Sequence, residues 1–229
     1  MKETTLSSEK IYDGRMISLR KDEIITEKGV KQSREVVSHG GGAAVLVVKN
    51  GKILLERQFR YPYGEILWEI PAGKRDKGED YAETAKRELE EETGYIAEKL
   101  VKLFEIYPTP GYTNEVIGIF KAEGLKKGVL HFDEDEDITS GWIPEEKVFE
   151  MIENGEIKDG KTLIALLWYK AEKARREEKS VGEDIAVRED IIAREEKAVS
   201  EDMAVCEDII AREEKACGDD ITVREEKKI

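Results

Sequence analysis

Residues 73–95, GKRDKGEDYAETAKRELEEETGY, decide how this chain folds. Asp80 followed three residues later by Glu83 is a capping-box start, and Gly94 is a stop signal. The stretch therefore reads as a loop, a helix and a turn. On a helix centred on Leu89, Ala82 and Ala85 lie within ~40° of the buried direction, while Glu83, Lys86, Arg87 and Glu90 collect on the solvated side. Glu92 and Glu88 fall ~60° and ~100° to one side of Leu89, with Glu91 beyond them next to Arg87, so these carboxylates border the apolar stripe. At an effective dielectric near 20 and spacings of about 5 Å, each like-charge pair costs roughly 3 kcal/mol unless something intervenes. A divalent cation removes that cost, and oxygen-only ligands at i, i+3 and i+4 suit Mg²⁺ or Mn²⁺. Taken alone, however, a Glu-rich helix reads as a solvated face.

On either side of this helix, strand and helix signals alternate. GAAVLVVK (Gly42–Lys49) is a continuous buried-strand run, Asn50-Gly51 is a hairpin turn, and residues 53–60 form the returning strand. Further strands are predicted near residues 99–106, 116–122 and 138–143, with helices at 144–153 and 161–178. The N-terminal stretch through Val37 reads as strands with a turn at Lys28-Gly29. The fold class is α/β (α+β) with a mixed sheet between helices. Three parts are expected: an N-terminal strand region (1–38), a central domain (39–179) and a charged tail (180–229).

The tail has its own grammar. Residues 181–229 contain no aromatic residue and no proline, and run in units such as EDIAVR, EDIIAR and EEKAVS, with a longer period of eighteen. Sixteen acids against eight Lys and Arg give it −8 of the chain's −14. Eighteen residues are five helical turns, so a long helix with two weak apolar seams is expected, with disorder and a hexapeptide β-solenoid as alternatives. None of the three implies chemistry.

Composition excludes several classes. A net charge of −14 and a pI near 4.9 argue against a phosphate-backbone footprint, so nucleic acid is not an expected partner. No apolar run reaches the ~18 residues of a membrane span, and MKETTLSSEK lacks a signal-peptide core. A cytoplasmic protein is expected. Cys206 and Cys217 both lie in the tail and make no disulfide framework.

Gly73, Glu79 and the run Arg87-Glu88-Leu89-Glu90-Glu91-Glu92-Thr93-Gly94-Tyr95 match the Nudix box, G-x5-E-x7-R-E-U-x-E-E-x-G-U, with tyrosine as the last bulky residue. The sequence resembles a Nudix hydrolase. Residues 69–74 (EIPAGK), 107–115 (YPTPGYTNE) and 133–138 (DEDEDI) are similar to the ADP-ribose pyrophosphatases within that family, over roughly residues 10–175. The resemblance implies hydrolysis of ADP-ribose to AMP and ribose 5-phosphate with Mg²⁺, or Mn²⁺ in its place. Other nucleoside diphosphate sugars or dinucleotides are the alternative, and a non-catalytic ADP-ribose-sensing module is a further one. It also implies a homodimer in which one subunit's N-terminal part completes the other's site.

Carried over position by position, the resemblance makes the Ala72 carbonyl, Glu88, Glu91, Glu92 and Glu136 metal ligands. Arg87 would hold a box carboxylate and Glu79 would brace the loop. Arg34, Arg60, Lys74, Thr109, Pro110, Gly111 and Glu115 would bind substrate. Glu134 would take the water proton, with Glu91 also in the catalytic set; Glu134 and Glu136 could exchange roles. Tyr12, Phe59 and Tyr107 are all candidates to stack on adenine. His39 and His131 read as structural or surface residues. The chain departs from the family's His-Pro-Gly with His39-Gly40-Gly41-Gly42, which is expected to loosen the join to the core.

Overall fold

The strand Gly42–Lys49 can be apolar up to Val48 because that part is covered on both faces. This strand, β4, follows an N-terminal trio, β1 (Glu3–Asp13), β2 (Ile17–Thr26) and β3 (Lys31–His39). After it come β5 (Lys52–Arg60), β6 (Glu65–Glu69), β7 (Ala72–Lys74), α1 (Tyr81–Thr93), β8 (Tyr95–Ile106), β9 (Ile117–Lys127), β10 (Ile138–Pro144) and α2 (Glu145–Glu153). Residues 160–179 form a further helix, α3. The computed structural model describes residues 2–131 and 138–179, together with 188, 194 and 197. The chain divides into two compact units, Met1–Tyr169 and Lys170–Ile229, and the first carries both sheets. Apart from 188, 194 and 197, which are helical, the expectations for the tail lie outside the described residues.

The main sheet runs β10-β5-β4-β9-β8, with β6 added to β5 and β7 added to β4. It is mixed, because β4 pairs parallel with β9 while its other partners are antiparallel. Alternation along β4 separates two cores. Ala44 and Leu46 face Val148, Met151, Ala165 and Leu166 from α2 and α3, and Ala43, Val45 and Val47 face Ala85 and Leu89 of α1. Helices therefore cover both faces, as expected from the sequence.

One feature of this sheet builds the site. β4 pairs with β5 only at Val48 and Lys49, beside the Asn50-Gly51 turn, whereas at its other end Gly42–Ala44 pair with Ala72–Lys74 of β7. The two strands of the hairpin, β4 and β5, splay apart, and β7 fills the gap against α1. Neither β6 nor β7 was predicted: five and three residues are too short for a periodic signal.

The N-terminal strands form their own antiparallel sheet in the order β1-β2-β3. Its second turn is at Lys28-Gly29, as expected, with Gly29 at φ 77° and its N–H donated to the Thr26 carbonyl. β1 is exposed along its whole length, including Leu6, Ile11 and Tyr12. The join to the core is not loose. Gly42 N–H bonds to the Val116 carbonyl, Arg75 N–H to the Gly41 carbonyl, and His39 N–H to Asn114 Oδ1. A Cβ on Gly41 would lie 2.7 Å from the Val116 carbonyl oxygen, so the glycines permit close approach rather than slack.

Candidate active site

α1 begins with the expected capping box: Asp80 accepts from the N–H groups of Ala82 and Glu83, and the Glu83 side chain accepts from Asp80 N–H. It ends at Gly94 in the left-handed region, φ 66°. The buried stripe contains Thr84, Ala85, Glu88, Leu89, Glu92 and Thr93. Two expectations fail here. Ala82 is exposed, and Arg87 is not on a solvated face but reaches along the helix to the carboxylates. A helical wheel fixes the Cα direction alone, and a long guanidinium side chain can fold back over its neighbours.

Every N–H of Arg87 is used. Nε and Nη2 bond to Glu79 at 2.9 and 3.1 Å, Nη1 to Glu88 at 2.8 Å and Glu91 at 2.9 Å, and Nη2 also to the Lys74 carbonyl at 3.0 Å. Five donors meet five acceptors, so Arg87 organises the cluster and has no donor left for a ligand. The Arg87 guanidinium draws the Glu79 carboxyl down to about 2, against the counter-effect of burial, with Asp76 N–H and the Thr84 hydroxyl adding to the stabilisation. The reciprocal effect raises the Arg87 pKa.

Glu88 lies against β7, where a Cβ on Gly73 would sit only 2.0–2.2 Å from its carboxylate atoms. Glycine at 73 is thus the space into which the carboxylate fits. Glu92 is 3% exposed and accepts from Ala72 N–H at 2.8 Å. The donor set suits a hard divalent cation: Glu88 and Glu91 face a cavity and offer oxygen only. Among the described residues no three carboxylate, imidazole or thiol groups converge as a ready-made cage. Arg87 occupies the carboxylates that a cation would share, and Glu92 is turned to the Ala72 amide. Such a site needs water and phosphate oxygens to complete it, which is how Mg²⁺ binds at substrate phosphates.

The cavity has a volume of about 640 Å³ and is walled by Glu88, Glu91 and Arg87, by Gly73, Lys74 and Asp76, by Arg15 and Met16, and by Gln58 and His131. A neighbouring recess of about 230 Å³ shares Met16, Gly73 and Lys74 with it and adds Arg60, Glu115, His39 and Lys161. Arg60 grips buried Glu69 through Nε and Nη2, both at 2.6 Å, and Lys161 bonds the same carboxylate. Burial would push Glu69 up, but Arg60 and Lys161 outweigh it and hold the carboxyl at about 2. Glu115 Oε1 lies 3.2 Å from His39 Nδ1, which also meets Gly41 N–H at 3.1 Å. That nitrogen accepts from the glycine or donates to the carboxylate, not both.

The structure thus brings Glu88, Glu91, Arg87 and Lys74 to one cavity and Ala72, Arg60, Lys74 and Glu115 to the other. It does not bring Arg34 to either: Arg34 is paired with Glu3 at 2.6 Å on the N-terminal sheet. Thr109, Pro110 and Gly111 lie on a loop tied to β3 through Val37 and line neither cavity. Glu134 and Glu136 lie outside the described residues. The sequence reading missed Arg15, Met16, Gln58, Asp76 and Lys161, and gave His39 and His131 no role in a site; Arg15, Met16, Gln58 and His131 belong to no motif, and Asp76 falls at an unspecified position of the box.

Residues 39–166 match the NUDIX domain family model. The chain belongs to the Nudix family. A Bacillus subtilis (strain 168) ADP-ribose pyrophosphatase is 38% identical over 182 residues, covering 78% of this chain and 98% of the relative. A Yersinia enterocolitica GDP-mannose pyrophosphatase is 38% identical over 157 residues, covering 63% and 82%. A crystal structure of an ADP compounds hydrolase superposes with a TM-score of 0.67 at 22% identity, over 75% of this chain and 96% of that one, and supports the Nudix fold. In this Nudix chain the box supplies the Arg87-centred cluster, and the splayed β4–β5 hairpin supplies the opening beside it.

Proposed function

We propose that this protein is a divalent-metal-dependent Nudix pyrophosphohydrolase that splits ADP-ribose into AMP and ribose 5-phosphate. The observation that carries the reading is the Arg87-held carboxylate set opening onto a cavity of a size suited to a nucleotide sugar. The similarity to an ADP-ribose pyrophosphatase over nearly that relative's whole length supports the substrate. Glu88 and Glu91 would hold the cation, Mg²⁺ by the hardness of the donors, with Glu92 and the Ala72 carbonyl as further ligands. A bound cation there neutralises phosphate charge and makes water easier to deprotonate. Gly73 leaves room for the Glu88 carboxylate, and Arg87 fixes the direction of Glu88 and Glu91. Lys74 stands where both cavities meet, which is where a diphosphate joining two ribosyl halves would pass. Arg60, oriented by Glu69, and Glu115 serve the second half. Glu134 would accept the water proton, with Glu136 toward the metal.

Arg34 and the Thr109–Gly111 loop sit outside both cavities of their own chain, and β1 exposes Leu6, Ile11 and Tyr12. A homodimer in which these reach the partner's site accounts for both observations. Residues 39–179 would then be the catalytic domain, 1–38 the dimerising sheet and 180–229 an appended acidic arm. Another nucleoside diphosphate sugar is the second reading, favoured by the GDP-mannose pyrophosphatase relative. Product analysis over a panel of nucleoside diphosphate derivatives with Mg²⁺ separates the two. ADP-ribose should give the highest kcat/KM, and a tenfold preference for another compound would overturn the substrate while sparing the reaction class.

A further inference from the structure

The charged groups around the larger cavity divide by commitment. Arg87 has spent all five N–H groups on protein acceptors. Lys74 Nζ meets the Met16 sulfur at 3.9 Å and no carboxylate. Arg15 also lines the cavity, and among the described residues it has no carboxylate partner. Arg57 and Arg75 also lack a carboxylate, but Arg57 lies over the Trp68 ring and Arg75 over that of Tyr81, whereas Arg15 has no such contact among the described residues.

Its place is set by the fold. Arg15 sits in the short turn between β1 and β2, closed by Gly14 N–H to the Ile17 carbonyl at 3.0 Å and by the Asp13–Ser18 pair of the ladder. Tyr12 packs over Gly14, where a Cβ would lie 2.4 Å from the phenol oxygen. The next residue, Met16, touches Lys74 and belongs to both cavities. The turn is therefore anchored against the catalytic body, with Arg15 lining the same cavity as Glu88 and Glu91.

Charge balance indicates the ligand. Among the described residues the cavity wall carries three cations, Arg15, Lys74 and Arg87. With Arg87 spent, Arg15 and Lys74 are the two whose N–H groups remain for an anion, and a diphosphate diester carries two charges. A guanidinium with unused N–H groups fits a phosphoryl group as a two-pronged donor, which an ammonium cannot do.

We infer that Arg15 is a substrate-binding residue whose guanidinium grips the diphosphate in the cavity that Glu88 and Glu91 also line, so that the β1–β2 turn is part of the active site of its own chain. The inference rests on the pyrophosphohydrolase reading. A charge-assisted hydrogen bond to phosphate is worth about tenfold to a hundredfold in affinity, and at an exposed arginine the loss of both prongs falls on that scale.

The test uses full-length Arg15→Ala and Arg15→Lys. Dissociation constants are measured by calorimetry with Mg²⁺ for the non-hydrolysable α,β-methylene analogue of ADP-ribose and for adenosine, alongside kcat and KM for ADP-ribose and the thermal midpoint. Arg15→Ala should weaken analogue binding about tenfold to a hundredfold and raise KM in step, with Arg15→Lys between it and the wild type. Adenosine affinity and the midpoint should not move. Unchanged analogue affinity in Arg15→Ala overturns the inference, as does an equal loss for adenosine, which would mean that the turn shapes the nucleoside pocket instead. If the wild type hydrolyses a different nucleoside diphosphate best, the series is run with that compound and its α,β-methylene analogue. The substrate reading then fails on the wild-type panel, while the inference stands or falls on the ratio of variant to wild type. A wild-type protein that binds no diphosphate overturns both.

Discussion

Glu69→Gln isolates the acid at the centre of the smaller recess. The carboxylate is 3% exposed, receives both prongs of Arg60 at 2.6 Å and is bonded by Lys161. Its pKa falls from 4.5 to about 2 despite burial. A depression of that size corresponds to about 3 kcal/mol of folding stability at neutral pH. The sign follows from the direction: the folded-state pKa is below the unfolded one, so the contribution is complete above about pH 4.5 and disappears as pH falls towards 2. At pH 3 roughly 1.5 kcal/mol should remain. Glutamine is nearly isosteric and cannot ionise, so the variant should be about 3 kcal/mol less stable than wild type at pH 7, with the gap halved at pH 3. The stranded cations add to the loss rather than reduce it, although Lys161 keeps Asp159 at 3.0 Å. Urea unfolding followed by tryptophan fluorescence reads this directly, because Trp68, Trp142 and Trp168 all lie in the first unit. An equal gap at pH 3 and pH 7 would show that the deficit comes from packing and that the ion pair is not what holds Glu69 charged. KM should also rise, since Arg60 loses the acid that orients it.

Two further changes bear on the catalytic side. Gly73→Ala places a methyl group 2.0 Å from the Glu88 carboxyl carbon, so about 1–3 kcal/mol of stability and most of the Mg²⁺-dependent turnover should be lost. Normal kinetics in that variant would remove Glu88 from the site. Glu134→Gln should lower kcat by ~10²–10⁴-fold with substrate and Mg²⁺ affinity close to wild type, while Glu136→Gln should weaken the metal dependence. The opposite pattern exchanges their roles, and near-normal turnover in both directs the search for the base to Glu91 or Glu115.

What the sequence made legible was whatever a single element spaces. Glu88, Glu91 and Glu92 share one helix, and their relation to Leu89 follows from 3.6 residues per turn; their neighbour Arg87 was placed wrongly because its reach, not its angle, decides where the charge ends up. The long strands and the capping box were legible for the same reason. β7 was not, because a three-residue strand is defined by what it pairs with: the β4–β5 hairpin must first splay before Ala72–Lys74 has an edge to join. The Arg60–Glu69–Lys161 set spans 92 positions between Glu69 and Lys161, and Arg15 is separated from Lys74 by five strands. No periodicity connects such residues. A motif therefore identifies the groups proposed to hold the cation, because one helix spaces them. The groups proposed to grip the rest of the substrate come from separate strands and turns. The same division explains why the family was readable from residues 73–95 alone, whereas Arg15, proposed to hold the diphosphate, comes to the cavity only through the fold.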